Sequence, residues 1–411
     1  AHRVTGGLPL GARATKAERV GPELWSLDRV DQRALPLDGY FKYGGSSAAA
    51  TGEGVTIYVV DSGINVNHQE FQPYGGGPSR ASYGYDFVDE DAEASDCDGH
   101  GTHVAASAVG LGVGVAKAAK VVAVRILDCS GSGSVTTTVA ALDWVAAHAV
   151  KPAVVTLSLG ISVGSWSKTL EDAARNLILD YGIPIVVASG NSGVDACYVA
   201  PANVPQVITV GGSDVAHKNV SMAALVGQRT LAPPAKSVSD SLEGSLVAQS
   251  VEAPSQLASL QAEQAGALEL ASLVECQAGL SSGADGPASA LSQQRDTLYR
   301  WSNTGSCVDL FAPGVDVYSA CGGERRCDAV GPHSYSLLSG TSMAVPQVAG
   351  LVAQFMQYRP EASPEEIHAA VVEGATQGVL DESLFEKGTP NRLLHTRIFP
   401  DEEEVQAAQG P

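Results

Sequence analysis

The sequence has few basic residues, and this shortage narrows the range of partners. It contains 25 Lys and Arg against 45 Asp and Glu in 411 residues, which gives a formal net charge of −20 at pH 7. Nucleic acids bind through clustered Lys and Arg that displace counterions from phosphates, so this charge argues against a nucleic-acid partner. The acidity alone does not identify another ligand.

Long hydrophobic runs are also missing. The longest uncharged apolar stretch, Val104 to Ala116, falls short of the roughly 20 residues that a membrane helix needs. We therefore expect no membrane span and no membrane partner. The chain begins with Ala1, and no basic and then apolar leader follows it, so we expect that any secretion signal has been removed or was never part of this chain.

Aromatic residues are absent from one long stretch. From Val199 to Leu298, 100 consecutive residues contain no Phe, Trp or Tyr, and from about Val220 the composition shifts to Ala, Ser, Gln, Leu and Glu. Such a segment can bury little, and loops beyond about 15 residues are uncommon in compact domains, so it is interpreted as an insertion. Within it, Pro254 to Gln277 is predicted to form a helix of modest stability.

The predicted domain organisation follows from these composition changes. Residues 1–23 are interpreted as an N-terminal arm or the remnant of a propeptide, and residues 399–411 as a frayed acidic tail. The main domain is predicted to consist of residues 24–219 and 299–398, interrupted by a flexible insertion at residues 220–298.

The rest of the chain alternates short β-branched runs with Ala-rich segments. The runs are VTIYVV (Val55 to Val60), VVAVRIL (Val121 to Leu127), AVVTLSL (Ala153 to Leu159) and IPIVVA (Ile183 to Ala188). Near-continuous apolar strands separated by amphipathic segments are typical of a parallel sheet covered on both faces. The sequence therefore predicts an α/β fold, with a doubly wound, mostly parallel sheet and helices on both faces.

Helix starts and stops support this prediction. Helices are expected at Val135 to Val150, at Lys168 to Tyr181 with Gly182 as a stop, and after Ser363. The last begins Ser363-Pro364-Glu365-Glu366, a capping box with Pro at the first helical position.

Three segments each place a reactive side chain at a position where α/β folds commonly have their catalytic or ligand-binding sites. Asp61 directly follows the run VTIYVV, at the carboxyl end of a strand, where open α/β sheets bind ligands. His100 lies between two glycines at a predicted helix start, and His is the side chain best suited to move a proton at neutral pH. Ser342 opens another helix, where free N–H groups stabilise a nearby anion.

Each of these residues alone has an ordinary structural explanation. Asp61 would be a turn or cap carboxylate, Ser342 an N-cap, and His103, one turn beyond His100, a buried hydrogen-bonded histidine. A zinc site made of Cys97, His100 and His103 has suitable ligand types, but its spacing matches none of the common structural zinc patterns. Taken together, the three segments favour a shared catalytic role for Asp61, His100 and Ser342 over these separate structural roles.

Several longer motifs in the sequence resemble those of a known protein family. The segments VVDSG, DGHGTHVA, LSLG, ASGN and GTSMAVPQVAG occur in the order typical of subtilisin-like serine peptidases. LDRVDQRALPL, AVRILDCSGSGS, SCVDLFAPG and GTPNRLL resemble the proteinase K and aqualysin branch most. The resemblance covers roughly residues 24–219 and 299–398, and it implies a serine endopeptidase whose substrates are proteins and peptides.

The resemblance also implies roles for single residues. Asp61, His100 and Ser342 correspond to the catalytic triad, in the chain order of subtilisin. Ser342 would attack the scissile carbonyl and form an acyl-enzyme, His100 would carry the proton, and Asp61 would orient the imidazole. Asn191 corresponds to the asparagine that stabilises the oxyanion, the alternative being a turn Asn between glycines.

A substrate is implied to bind as an extended strand between two segments, with register supplied by backbone pairing. The residues implied are Gly131, Ser132 and Gly133 on one side, Ser158, Leu159 and Gly160 on the other, and Ala188 and Gly190 at the primary pocket. Many of these side chains are small, which favours a broad preference for apolar or aromatic substrate side chains.

Seven cysteines suit a compartment where disulfides persist, and an odd number leaves one thiol over. The resemblance implies the pairs Cys97–Cys129 and Cys197–Cys307. Cys321 and Cys327 could close a small loop of their own, which leaves Cys276. Reduced, buried cysteines are the alternative for every pair. We expect a secreted, extracellular monomer, with the family's propeptide as its inhibitor and folding chaperone.

Calcium is the one cofactor that the resemblance implies, and no organic cofactor is expected. Its ligands would be backbone oxygens of Pro205 and Val207 and the carboxylate of Asp214, because oxygen ligands suit calcium. A solvated loop without an ion is the alternative.

A second function remains open at this point. The chain could be a catalytically silent scaffold with the same fold, which binds proteins or peptides in the same cleft. The insertion supports this alternative, because a segment packed over the cleft would leave the triad idle. Loop-closure cost grows only slowly with length, so a surface insertion need not disturb the core.

Overall fold

The computed structural model describes seven stretches of the chain, which together contain all the predicted strands and helices outside the insertion. They are residues 16–43, 50–73, 76–161, 167–216, 245–247, 294–327 and 331–398. The predicted helix from Pro254 to Gln277, the leftover Cys276, residues 1–15 and the acidic tail lie outside these stretches.

The strands are short, as expected for buried strands in a parallel sheet. They are β1 (Lys16–Arg19), β2 (Tyr40–Tyr43), β3 (Thr56–Asp61), β4 (Ala81–Asp86), β5 (Lys120–Arg125), β6 (Ser132–Ser134), β7 (Ala153–Leu157), β8 (Gly160–Ile161), β9 (Ile185–Ala188), β10 (Ile208–Ala216), β11 (Ser245–Val247), β12 (Arg295–Leu298), β13 (Leu310–Pro313), β14 (Val317–Ala320), β15 (Tyr335–Leu338), β16 (Thr376–Gln377) and β17 (Arg392–Leu393).

Helices connect the strands of the main sheet. They are α1 (Trp25–Val30), α2 (His100–Val109), α3 (Val135–His148), α4 (Lys168–Leu179), α5 (Thr341–Tyr358) and α6 (Pro364–Gly374). The predicted ends of α3 and α4 were each two residues too long. The predicted capping box opens α6, because the Ser363 side chain accepts from the Glu366 N–H and Glu366 accepts from the Ser363 N–H. No helix among the described residues is long and apolar enough to cross a membrane.

The central sheet has ten strands in the order β16-β17-β13-β10-β9-β7-β3-β5-β4, with β12 paired to β10. Strands β4, β5, β3, β7, β9, β10, β13 and β17 pair in parallel, whereas β12 and β16 join antiparallel to β10 and β17. The predicted doubly wound, mostly parallel sheet is therefore confirmed.

Alternate residues of β3 face the two sides of the sheet. Ile57 and Val59 pack in the core that contains residues of α2 and α5. Tyr58 and Val60 pack in the second core, which contains residues of α3 and α4. Because both faces are buried, the strand needs an apolar residue at nearly every position, and this is why VTIYVV shows no polar alternation.

The predicted boundary of the insertion was wrong at its carboxyl end. Residues 295–298, which the prediction placed in the insertion, form β12 and pair with Ser213 to Ala216 of β10. The misjudgement has a physical reason, since RDTL contains two charged residues and no aromatic one, so its composition resembles the insertion. Its Asp296 charge is neutralised by a partner far away in sequence, the buried Arg29 of α1.

Candidate active site

Asp61 and His100 meet at the carboxyl edge of the sheet. Asp61 is the last residue of β3, and His100 is the first residue of α2. The His100 Nδ1 atom lies 2.7 Å from Asp61 Oδ1, which also accepts a hydrogen bond of 2.8 Å from the Ser62 N–H. Both side chains are buried, so the contact is shielded from water and from salt.

Two glycines allow this contact. A Cβ on Gly101 would lie 2.1 Å from the backbone oxygen of Gly63, and Gly63 itself has φ +102° with the Ser95 oxygen 2.5 Å from an ideal Cβ. The turn after Asp61 and the start of α2 therefore pack backbone against backbone. A side chain at either position would separate the carboxylate from the imidazole.

Asp96 holds the start of α2 in place, and the sequence analysis did not identify it. Its Oδ1 atom accepts from Ser62 Oγ at 2.9 Å and from the Gly99 N–H at 2.8 Å, and its Oδ2 atom accepts from the Thr102 N–H at 2.9 Å. Ser62 Oγ in turn accepts from the Gly101 N–H at 2.9 Å. Burial raises the pKa of Asp96 to about 6. The available signal was weak, because Asp96 precedes the N-cap residue Gly99 and so does not stand at the usual capping position.

Ser342 lies one strand away from Asp61. The pairing register of β3 with β7, continued by two residues, sets Asp61 level with Ser158. The Ser342 hydroxyl donates to the Ser158 carbonyl at 2.9 Å, and the Ser158 hydroxyl donates to the Ser342 carbonyl at 3.1 Å. The structure thus brings Asp61, His100 and Ser342 to one edge of the sheet.

Pro346 explains why the Ser342 carbonyl is available to the Ser158 hydroxyl. It lies inside α5, in the second turn, and has no N–H to donate to the Ser342 carbonyl four residues earlier. The Ser158 hydroxyl donates to that carbonyl instead. The proline therefore frees the Ser342 backbone to bond across to the segment after β7.

Asn191 is fixed beside the start of α5. Its Oδ1 atom accepts a hydrogen bond of 2.8 Å from the Thr341 N–H, the residue before Ser342. With the oxygen engaged in this way, the carboxamide offers its NH₂ group as the donor for any further partner.

Asn303 shapes the loop that carries Asn191, and the sequence analysis did not identify it. Its Oδ1 atom accepts from the Ser192 and Val194 N–H groups at 3.0 and 3.1 Å, and its Nδ2 atom donates to the Ser189 carbonyl at 2.8 Å. Asn303 lies more than 100 residues from this loop and belongs to no recognisable motif. Only the tertiary structure therefore shows its role.

The two implied substrate segments lie opposite each other. Ser132 and Gly133 belong to β6, and Gly160 begins β8. Gly131 lies in the turn before β6, Ser158 and Leu159 are buried between β7 and β8, Ala188 ends β9, and Gly190 follows it. We refer to the space between β6 and β8 as the β6–β8 groove.

The β6–β8 groove contains a strand of the chain's own insertion. Residues 245–247 form β11, the middle strand of the three-stranded sheet β6-β11-β8. β11 runs antiparallel to both neighbours, with Leu246 opposite Gly133 and Val247 opposite Gly160.

His103 and Cys97 take no part in a zinc site. Cys97 is disulfide-bonded to Cys129, so it has no thiolate to offer a metal. His103 is fully buried, and its Nε2 atom lies 3.0 Å from the Val317 carbonyl. Burial lowers the pKa of His103 to about 3, so this imidazole is neutral at pH 7.

The three implied calcium ligands do not come together. Pro205 and Val207 precede β10, whereas Asp214 lies near the far end of that strand. Seven residues of extended strand separate Val207 from Asp214, which is about 23 Å at 3.3 Å per residue. Ligands of one calcium ion all lie within about 2.6 Å of it, so this set does not fit a shared ion.

The second disulfide that the resemblance implies is present, and so is the small loop that Cys321 and Cys327 could close. Cys197 is bonded to Cys307, and Cys321 to Cys327. The Cys321–Cys327 bond encloses a short loop whose Arg325 and Arg326 form ion pairs with Asp98 at 2.8 and 2.5 Å. Burial acts to raise the pKa of Asp98, but Arg326 and its neighbours outweigh it and the pKa is lowered.

The doubly wound sheet and the edge that gathers an acid, a histidine and a serine define the subtilisin-like class of α/β proteins. Comparison with known proteins agrees, since the model of the subtilase family matches residues 52–393. The chain belongs to the subtilase family.

Similar proteins include two bacterial enzymes. The chain is 35% identical over 377 residues to an extracellular serine proteinase of Thermus sp. (strain Rt41A), a match that covers 91% of this chain and 66% of that protein. It is 36% identical over 380 residues to alkaline serine exoprotease A of Vibrio alginolyticus, covering 92% of this chain and 51% of that protein. The chain thus spans between half and two thirds of the length of these relatives.

A solved structure is also similar. The crystal structure of a cold adapted subtilisin-like serine proteinase matches with a TM-score of 0.62 and 34% identity, covering 92% of this chain and 98% of that one. At this identity the match supports the family as well as the fold.

Proposed function

We propose that this chain is a secreted serine endopeptidase that hydrolyses peptide bonds through Asp61, His100 and Ser342. The observation that carries the proposal is the 2.7 Å contact between His100 Nδ1 and Asp61 Oδ1, at the edge of the sheet where Ser342 lies in the first turn of α5. An imidazole held at Nδ1 by a carboxylate has its Nε2 atom free to take a proton.

The proton path follows from this contact. His100 Nε2 is buried and has no hydrogen-bond partner among the described residues. The Ser342 hydroxyl can leave the Ser158 carbonyl by rotation about a single bond and donate to His100. His100 then takes the hydroxyl proton as Ser342 Oγ attacks the substrate carbonyl, and later gives it to the leaving amine. Asp61 keeps the imidazole in the correct tautomer and stabilises its charged form.

Asn191 completes the set as an oxyanion donor. Its carboxamide oxygen is held by the Thr341 N–H at 2.8 Å, which leaves its NH₂ group as the donor that stabilises the tetrahedral intermediate. The Ser342 backbone N–H, in the first turn of α5, is the second donor, because the first four N–H groups of a helix have no partner inside the helix.

The primary pocket favours apolar or aromatic side chains. The Ser189 hydroxyl donates to the Asn303 carbonyl at 3.1 Å, and the Ser189 carbonyl accepts from Asn303 at 2.8 Å. The polar groups between Ala188 and Gly190 are thus already paired. Between Ala188 and Gly190 the described chain therefore offers no free partner to a polar substrate group, so an apolar side chain binds there at lower desolvation cost.

Protein and peptide substrates bind as an added strand in the β6–β8 groove, between Gly131 to Gly133 and Ser158 to Gly160. Three disulfides suit an oxidising compartment, which supports secretion, and a relative is named an extracellular proteinase. The silent-scaffold alternative is disfavoured, because the similar proteins are named as proteinases.

The test is labelling with a fluorescent fluorophosphonate, followed by mass spectrometry to locate the adduct. The wild-type chain is expected to carry one adduct, on Ser342, and the Ser342→Ala variant none. Ser192→Ala is the matched control, because Ser192 is an exposed serine next to Asn191, and its loss should leave labelling unchanged.

Two results would contradict the proposed function. One is an adduct on a serine other than Ser342 in the folded wild-type chain. The other is peptide hydrolysis at the wild-type rate by a folded Ser342→Ala variant. Circular dichroism of each variant establishes that the fold is intact.

A further inference from the structure

A short loop closed by a disulfide, residues 321–327, lies against the segment that leads into α2. We refer to it as the arginine loop. An ideal Cβ on Gly323 would lie 2.4 Å from the carbonyl carbon of Asp98, and the Arg326 N–H donates to the Asp98 carbonyl at 3.1 Å. The disulfide and this close backbone packing hold the loop beside Asp98, two residues before His100.

The two arginines of the loop meet the Asp98 carboxylate. Arg325 Nη1 donates to Asp98 Oδ2 at 2.8 Å, and Arg326 Nε donates to Asp98 Oδ1 at 2.5 Å. One buried negative charge therefore faces two positive charges, and one positive charge is left over. The Arg325 side chain is 41% exposed and that of Arg326 is 13% exposed, so the accessible part of this surplus charge belongs to Arg325.

Arg325 also lies beside Gly131, one of the implied substrate-binding residues. An ideal Cβ on Gly131 would lie 3.1 Å from Arg325 Nη1, 3.4 Å from Arg326 Nη2 and 3.4 Å from Asp98 Oδ2. The guanidinium of Arg325 therefore faces the side of Gly131 on which a side chain would stand.

Two other charged groups near this turn have partners of their own. The Asp128 Oδ1 atom accepts from the Ser130 N–H of its own turn at 2.8 Å. Arg125 is paired with two carboxylates, each at 2.6 Å. Among the charged groups that the structure describes, Arg325 Nη1 is the closest to the position of a Gly131 side chain.

The register of β11 shows which residue of a substrate meets Gly131. Val247 pairs with Ser132 on one side and with Gly160 on the other, and both pairings are antiparallel. A substrate strand that takes the same place, with the register continued, has its next residue opposite Gly131 and the residue after that opposite Ser158.

The substrate residue opposite Ser158 is the one that is cut, because the Ser158 carbonyl accepts the Ser342 hydroxyl at 2.9 Å. The residue opposite Gly131 comes immediately before it. Directly opposite residues of an antiparallel pair have their side chains on the same face, with Cβ atoms about 5 Å apart. The side chain of this preceding substrate residue therefore projects toward Arg325.

We propose that Arg325 is a specificity-determining residue, which selects substrates with glutamate or aspartate immediately before the residue that is cut. The proposal rests on the proposed function and names a substrate class for that same site. A guanidinium has five N–H donors in a planar fork, so Arg325 can hold Asp98 and a substrate carboxylate at once. The primary pocket, which takes the following side chain, keeps its apolar or aromatic preference.

Two isomeric peptides test this preference in the full chain. Both are internally quenched and contain phenylalanine as the residue to be cut. One has glutamine and then glutamate before the phenylalanine, and the other has glutamate and then glutamine. Their net charges are equal, so the general repulsion of acidic peptides by a chain of net charge −20 acts on both alike. Mass spectrometry establishes that the cut follows the phenylalanine.

The wild-type chain is expected to show a kcat/KM about three- to fivefold higher for the peptide with glutamate next to phenylalanine, as for a partly exposed ion pair. Arg325→Gln should remove this difference, and Arg325→Lys should keep part of it because the charge remains. Arg359→Gln is the matched control, because Arg359 is an exposed arginine at the far end of α5 from Ser342. Its loss should leave the ratio unchanged.

Salt provides a second measurement that needs no variant. Raising NaCl from about 50 mM to about 500 mM should bring the wild-type ratio toward one, because salt screens exposed ion pairs. The two peptides have the same net charge, so screening of the whole chain does not alter their ratio.

Equal kcat/KM values for the two peptides in the wild type would overturn this inference and leave the proposed function standing. A ratio that Arg325→Gln leaves unchanged would overturn it as well, and so would a ratio that salt does not alter. Failure of the proposed function looks different, because neither peptide would then be hydrolysed and the folded wild-type chain would not be labelled by fluorophosphonate at Ser342.

Discussion

Single residues of the site are held mainly by bonds to backbone. The Ser342 hydroxyl donates to the Ser158 carbonyl, and the Ser158 hydroxyl donates to the Ser342 carbonyl. Asn191 accepts from the Thr341 N–H, and Asn303 is bonded to three backbone groups of the loop after β9. Backbone groups are placed by the sheet and the helices. The sheet and the helices therefore determine where the reactive side chains lie.

Buried His103 makes a prediction about pH. Its folded pKa of about 3 lies below the ordinary 6.5, so its contribution to stability is fully present above about pH 6.5 and is lost as the pH falls toward 3. Glutamine can keep a donor toward the Val317 carbonyl but takes up no proton. In a Ser342→Ala background, His103→Gln should therefore lose about 2 to 3 kcal/mol less stability than its parent between pH 7 and pH 4.5.

Urea unfolding at the two pH values measures this difference. His148→Gln is the control, because His148 is exposed and its variant should follow the parent. An equal loss of stability in parent and His103→Gln would show that His103 is not the proton acceptor.

At the scale of elements, an ion pair joins α1 to β12. Arg29 Nε donates to Asp296 Oδ1 at 2.6 Å and Arg29 Nη2 to Asp296 Oδ2 at 2.8 Å, with the two side chains 0% and 6% exposed. The pair connects α1, near the start of the main domain, to β12. Both charges have left water, so each depends on the other.

Asp296→Ala should therefore destabilise the Ser342→Ala background by about 3 to 5 kcal/mol, since it leaves a buried guanidinium unpaired. The double variant Arg29→Met/Asp296→Leu should recover most of that loss. The control is Asp89→Ala, because Asp89 also pairs with an arginine at 2.6 Å but is 61% exposed, and its loss should cost less than about 1 kcal/mol. Urea midpoints decide between these outcomes, and a loss at Asp296 as small as at Asp89 would refute the argument.

At the scale of the whole molecule, two disulfides close loops of very different length. Cys197 and Cys307 are 110 residues apart in sequence, with the insertion between them, whereas Cys321 and Cys327 are 6 apart. In the chain-entropy account, a disulfide stabilises by restricting the unfolded chain, and the effect grows with the logarithm of loop length. The long loop should therefore contribute more.

Replacing both Cys197 and Cys307 by serine should cost about 2 to 3 kcal/mol more than replacing both Cys321 and Cys327, again in the Ser342→Ala background. Urea unfolding of the two double variants beside their parent measures the difference. A larger loss from the short loop would show that local packing around Asp98, rather than loop closure, governs these two bonds.

The sequence alone was sufficient to predict the class of fold, and it shows the order of the motifs directly. Buried strands must be apolar on both faces, so VTIYVV and AVVTLSL indicate a covered parallel sheet without any structure. The glycines beside His100 and after Asp61 are also visible in the sequence, because they lie within the short motifs that contain His100 and Asp61. They are required there because the two backbone segments pack directly against each other and leave no room for a side chain. The pairs Cys97–Cys129 and Cys197–Cys307 could also be inferred without a structure, because the resemblance implies them.

Tertiary structure decided what depends on partners distant in sequence. Arg29 is needed to bring the charged residues 295–298 into the sheet, Asn303 to shape the loop of Asn191, and Ser158 to hold the Ser342 hydroxyl. The calcium set failed because an extended strand moves Asp214 about 23 Å from Val207, a distance that sequence motifs do not record. Strand β11 is the clearest case, because a bland insertion gives no composition signal, and only strand pairing shows that it lies in the β6–β8 groove.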